Sequence, residues 1–204
     1  MLRRAFLNRF PALAFVQASA APAPRAWAAV RHAEDDWLDD NAAKHRNLFD
    51  TYSPEHFSDA LLFSGNIFET NLAAYDVAAK DLAVVLVVRH NATPFGYNDA
   101  MWAKYGQHFS KRMDWVDPKT HEVPTTNIYT PRFAGLAKNG LRLAVCQRTT
   151  RAYVGIIARE TGAKADDVYT ELTSNLVIPG RVVPAGVITV TRAQEHGYTL
   201  VTVA

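Results

Sequence analysis

The chain is poor in the residues that usually announce chemistry. One cysteine, Cys146, stands among 204 residues, so no disulfide can form within the chain. Apart from His90, the histidines are dispersed: His32, His45, His56, His108, His121 and His196 show no pair at helical or finger-like ligand spacing, and nothing in the pattern asks for a metal. Glycine-rich signatures are missing too. Gly155 to Lys164 has a glycine and a lysine in suggestive order, but the spacing fails for a phosphate loop and the stretch lies inside a helical pattern. There is no Gly-x-Ser-x-Gly elbow and no dinucleotide fingerprint, so no cofactor is expected. No apolar run approaches the roughly 20 residues that a bilayer span needs.

The N-terminus carries a more specific pattern. Arg3-Arg4-Ala5-Phe6-Leu7 reads as a twin-arginine export signal, with Leu2 and Asn8 departing from the usual flanks. Pro11 to Val16 forms a short apolar region. Ala18-Ser19-Ala20 and Ala26-Trp27-Ala28 each offer a small-x-small cleavage site, near residue 20 or 28. The expectation is a periplasmic protein delivered folded, with residues 1–28 removed. Those residues hold four arginines and no acid, so their removal turns a net charge of +2 into −2. The basic balance belongs to the signal and gives no argument for nucleic acid.

Residues 29–45 are acidic, with Glu34, Asp35, Asp36, Asp39 and Asp40 close together, and read as a linker leading into a short helix. The remainder, 46–204, suits one domain. Asn47 to Tyr52 has brief strand character, and Ser58 to Tyr75 has helical periodicity with Ser58 placed to cap it. Leu82 to Val88 is a continuous apolar, β-branched run, as in a parallel strand buried on both faces. Leu141 to Cys146 is a second such strand, launched from Asn139-Gly140. Helices are predicted over Thr149–Thr161, Asp166–Asn175 and Ala185–Glu195, the last stopped by Gly197, with strands at Arg181–Val183 and Tyr198–Val203. Alternating strands and helices imply an α/β sandwich around a mostly parallel sheet of about five strands. Residues 105–131, with Pro118, Pro124 and Pro131, show no sustained period and read as an irregular insertion: a lid, a binding loop, a contact arm or a plain surface excursion.

In such a sheet, ligands collect at the carboxyl ends of the strands. Cys146 closes one strand just before a helix, and His90 follows Val88-Arg89 at the end of another. A helix N-terminus, with Arg148 and Arg151 nearby, favours the thiolate of Cys146; the plainer alternative is a packed, inert thiol. His90 reads either as an acid/base beside the thiol or as a loop residue. Trp102, Tyr105 and Trp115 line a pocket or serve packing.

Leu141-Arg142-Leu143-Ala144-Val145-Cys146 followed by a helix, and Val182-Val183-Pro184-Ala185-Gly186-Val187 with Arg192-Ala193-Gln194-Glu195-His196-Gly197-Tyr198, resemble the DsrE/DsrF-like superfamily. Asp81 to His90 with Asn98-Asp99-Ala100-Met101-Trp102 is similar to an exported branch of it. The resemblance implies a flavodoxin-like domain that assembles as homo-oligomers, often trimers or hexamers. It also implies a persulfide-carrying cysteine at the position of Cys146, serving a small sulfur donor or a partner thiol protein. The resemblance assigns no residue beyond Cys146; by their position, Arg148 and Arg151 would stabilise the thiolate or an anionic donor such as thiosulfate. Relay members usually work in the cytoplasm, and many members of the superfamily have no demonstrated activity. A non-catalytic oligomeric scaffold with a packed Cys146 therefore stands as the alternative.

Overall fold

A computed structural model of the chain describes residues 30–203, and the export signal read in residues 1–28 lies outside them. Five strands form one sheet: β1 (His45–Thr51), β2 (Leu82–Val88), β3 (Leu141–Cys146), β4 (Gly180–Val183) and β5 (Thr199–Val201). Their order across the sheet is β4-β3-β2-β1-β5, and every pairing is parallel. β2 is central and buried at every position, which is why its sequence is apolar without alternation.

The α-helices among the described residues are α1 (Phe57–Tyr75), α2 (Asp99–Met113), α3 (Thr130–Lys138), α4 (Gln147–Thr161), α5 (Ala165–Ser174) and α6 (Gly186–Glu195). Their placement follows from the handedness of parallel crossovers. From β1 to β4 the chain steps in one direction, so α1 to α5 all cover one face, here called the front. The β4–β5 connection runs back across the sheet, so α6 covers the other. Strand residues alternate between the two cores accordingly. Phe49, Val84, Leu86, Val88, Leu143 and Val145 face the front core. Leu48, Ala83, Val85, Val87, Ala144 and Val183 face the back core beneath α6. The result is a flavodoxin-like three-layer α/β sandwich.

Several local expectations change. The acidic segment is part of the back layer: a short 3₁₀ helix, Ala33–Leu38, docks Trp37 and Leu38 into the back core. Ser58 does not cap α1, which starts one residue earlier at Phe57 behind His56. α4 begins at Gln147, directly after β3, instead of at Thr149. The stretch 105–131 is not irregular throughout, because its first nine residues finish α2. Asn98 caps that helix by accepting from the Met101 N–H at 3.2 Å. Its buried stripe of Met101, Trp102, Tyr105, Phe109 and Met113 is helical in spacing. Polar residues between these positions hid the period. Pro131 sits in the first turn of α3, where a missing N–H costs nothing. The truly irregular part is 114–129.

Candidate functional site

The connections diverge at the carboxyl ends of β3 and β4. The chain leaves β3 for the front through α4 and leaves β4 for the back through α6, the topological switch at which α/β sheets bind ligands. Both helix N-termini therefore meet beside the end of β3. Cys146 is the N-cap of α4 and Ala185 that of α6, and neither supplies a side-chain acceptor to the first-turn N–H groups. Such uncapped turns leave donors free and concentrate positive potential.

Cys146 occupies that seam. It shares the parity of Ala144, which puts its side chain on the α6 side of the sheet. A Cβ built on Gly186 would lie 3.3 Å from Cys146 Cβ, 2.6 Å from Arg89 Cβ and 3.2 Å from Arg89 Cδ. The thiol-bearing residue, Arg89 and the first turn of α6 are therefore in contact, and only a residue without Cβ fits between them. Cys146 is 5% exposed. The Thr149 hydroxyl points to its Sγ at 3.5 Å, and the Thr150 hydroxyl donates to its carbonyl at 2.9 Å. Thr150 also shares a 2.7 Å hydrogen bond with the Tyr97 hydroxyl, whose pKa burial drives far above its ordinary value.

Arg89 is held from below. Its Nε and Nη2 reach Asp50 Oδ1 and Oδ2 at 2.7 and 2.8 Å, a two-pronged pair bridging the ends of β1 and β2. That hydrogen bonding raises the pKa of Arg89 still further, against the opposing effect of burial. A smaller push in the same direction comes from Cys146, which reflects how near the two groups lie. Tyr52 lies 5.3 Å beneath the guanidinium, adding a cation–π contact.

The residues singled out from the sequence are only partly brought together. His90 adjoins the site through its backbone, its N–H donating to Thr149 Oγ1 at 3.2 Å. Its φ of 50° lies in the left-handed region, which costs about 1 kcal/mol and leaves the imidazole exposed. Arg148 is exposed on α4. Arg151 stacks on Tyr169 at 4.3 Å, on the front side, while Gln147 donates to the same tyrosine's hydroxyl at 2.7 Å. The cation in contact with the thiol's surroundings is thus Arg89. Sequence reasoning passed over it because it reads as the polar end of an apolar run. The usable signal was parity: Asp50, Arg89 and Cys146 each lie within one residue of a strand end and share one side of the sheet.

Among the described residues there is no group of three or more His, Cys, Asp or Glu arranged to hold a metal ion. No helix among them is long and apolar enough to cross a membrane. Fold and site together define a three-layer α/β protein with its one thiol at the topological switch. No protein-family model, curated protein or solved structure matches the chain.

Proposed function

We propose that this chain handles sulfane sulfur at Cys146, as an exported, homo-oligomeric protein of the DsrE-like kind. The observation that carries the reading is the seat of the thiol: it lies between two uncapped helix N-termini, with the Arg89–Asp50 pair against it. Such surroundings place positive potential where an anionic sulfur donor would approach the thiol. With thiosulfate, the Cys146 thiolate attacks the outer sulfur, a new S–S bond forms, and the old S–S bond breaks with its electron pair leaving on sulfite. The persulfide then gives its outer sulfur to an acceptor thiolate, and Cys146 returns as the leaving thiolate. Arg89 takes the charge-stabilising part that the sequence assigned to Arg148 and Arg151. Those two stand further out, where they would meet an approaching donor or partner. His90, exposed at the rim, would move a proton only for a substrate entering over it.

A second reading rests on a specific observation, the near-complete burial of Cys146. In it the thiol is packing, and the protein is an oligomeric binding or scaffold protein. Intact mass after brief exposure to polysulfide or thiosulfate separates the two. A gain of one sulfur atom, reversed by reductant and lost in Cys146→Ala, is the expected result. A thiol that stays unmodified until the protein is unfolded overturns the sulfur reading in favour of the scaffold.

A further inference from the structure

A second concavity lies away from the thiol, over the loop that leaves the carboxyl end of β1, and it has the size of a ligand site. Its volume is about 690 Å³, within the usual range for small-molecule pockets. One wall is the β1–α1 loop with Glu55 and the first turn of α1. The other is the irregular segment 114–129 with the start of α3. This is an ordered wall. Asn127 is buried and donates from Nδ2 to the carbonyls of Phe95 and Tyr97, at 2.8 Å each. Its Oδ1 accepts from the Tyr129 N–H at 3.1 Å. Asp117 is tied into its own turn, accepting from the Lys119 N–H at 2.8 Å.

The floor is aromatic. Tyr129 and Trp115 line the cleft, and both stand edge-on to buried Phe95, at 5.0 and 5.1 Å between ring centres. Phe57 backs Tyr129 at 5.0 Å. Both lining rings are half-buried, with their backs packed and the rest open to the cavity. Such rigid, partly wet rings are platforms for a flat apolar ligand.

The charges around the floor are not equivalent. Glu55 already accepts from the Ser53 hydroxyl, and that bond lowers its pKa. Asp117 accepts from its own turn. Among the described residues none of these four side chains, Glu55, Asp117, Lys119 and Arg132, forms an ion pair. The difference is in hydrogen bonds, since both carboxylates already accept one while most of the donors of Lys119 and Arg132 are unspent. Arg132 spends one Nη1 contact on the Ser58 carbonyl, at 3.1 Å, and keeps the rest of its fork. An aromatic floor with unpaired cations at its edge selects a planar ring carrying a carboxylate.

We infer that the cleft between the β1–α1 loop and segment 114–129 binds a small aromatic carboxylate, the ring lying on Trp115 and Tyr129 and the carboxylate meeting Arg132 and Lys119. The inference does not depend on the chemistry of Cys146. Its test uses the full chain and benzoate, with benzamide and benzylamine as uncharged and cationic counterparts, followed by ligand-detected NMR. Benzoate is expected to bind with a Kd on the order of 1 mM, as befits so small a ligand. The double variant Arg132→Gln, Lys119→Gln changes exposed side chains only and is expected to weaken benzoate about tenfold while leaving benzamide unchanged. No benzoate binding, or equal affinity for benzamide or benzylamine, overturns the inference. So does a double variant that binds benzoate like the parent.

Discussion

The two faces of the sheet are held by different physics. The front core is large and aromatic, with Phe95 touching Phe57, Trp102, Trp115 and Tyr129 around one ring. The back layer is thin: α6 and one 3₁₀ helix rest on alanines and valines. Polar ties do much of the fastening there. Arg46 pairs with Asp39 and donates to the His196 carbonyl at 3.0 Å, and His196 Nδ1 lies 2.7 Å from Asp39 Oδ2. Arg142 bonds the Trp37 carbonyl and Asp40, and the Tyr198 hydroxyl donates to the Leu38 carbonyl at 2.8 Å. Packing energy scales with buried area and is little affected by salt, whereas exposed charge pairs are screened and titrate. The thiol seam lies where these layers meet, because α4 belongs to the front and α6 to the back.

The comparison can be broken most forcefully at its front. Phe95→Ala empties the centre of the aromatic cluster and is expected to cost about 3–5 kcal/mol, measured by denaturant unfolding. A cost comparable with a surface substitution would mean the front core does not hinge on that ring. At the seam, Gly186→Val places atoms where Arg89 and Cys146 already stand. The expected cost is about 1–3 kcal/mol from overpacking. Because α6 must move away, the labelling rate of Cys146 should rise at the same time. An unchanged rate would show that α6 does not shield the thiol.

The smallest effect belongs to the back layer and appears in acid. Asp39 has a pKa below its ordinary 3.8, chiefly through its hydrogen bond to Arg46 and then through His196, with burial opposing. A depressed carboxylate stabilises the fold fully above the unfolded value and loses that contribution as pH falls through the folded value. With the Asp39 side chain 40% exposed, screening limits the gain to less than about 1 kcal/mol. Thermal melts should therefore show a shallow decline below about pH 4, flattened in Asp39→Asn. An identical decline in that variant would move the acid-sensitive tie elsewhere.

Much of the front could be read directly. Leu82–Val88 is apolar without interruption, and Leu141–Cys146 apolar but for Arg142, because strands covered on both faces need no polar side; both were recovered at their observed bounds. The helix α2 was missed because its buried stripe is diluted by Lys104, Gln107, His108 and Lys111, whose partners are Glu171 and Glu160 on distant helices for three of the four. Trp37 and Leu38 went unrecognised as core residues because five acids surround them, and the counter-charges that neutralise the segment come from Arg46, Arg142 and Arg192.

What the sequence determined by itself was local and periodic: which runs become buried strands, where the helices alternate with them, and that one cysteine closes a strand at a helix start. Those follow from side-chain chemistry and from repeat lengths of two and 3.6 residues. What the tertiary structure alone decided was neighbourhood. Strand order put β3 and β4 at the switch, parity turned Cys146 toward α6 and Arg89 instead of toward Arg148 and Arg151, and the folded 114–129 segment closed a cleft with the β1–α1 loop. These contacts join residues tens of positions apart, and no local pattern in the chain encodes which of them will meet.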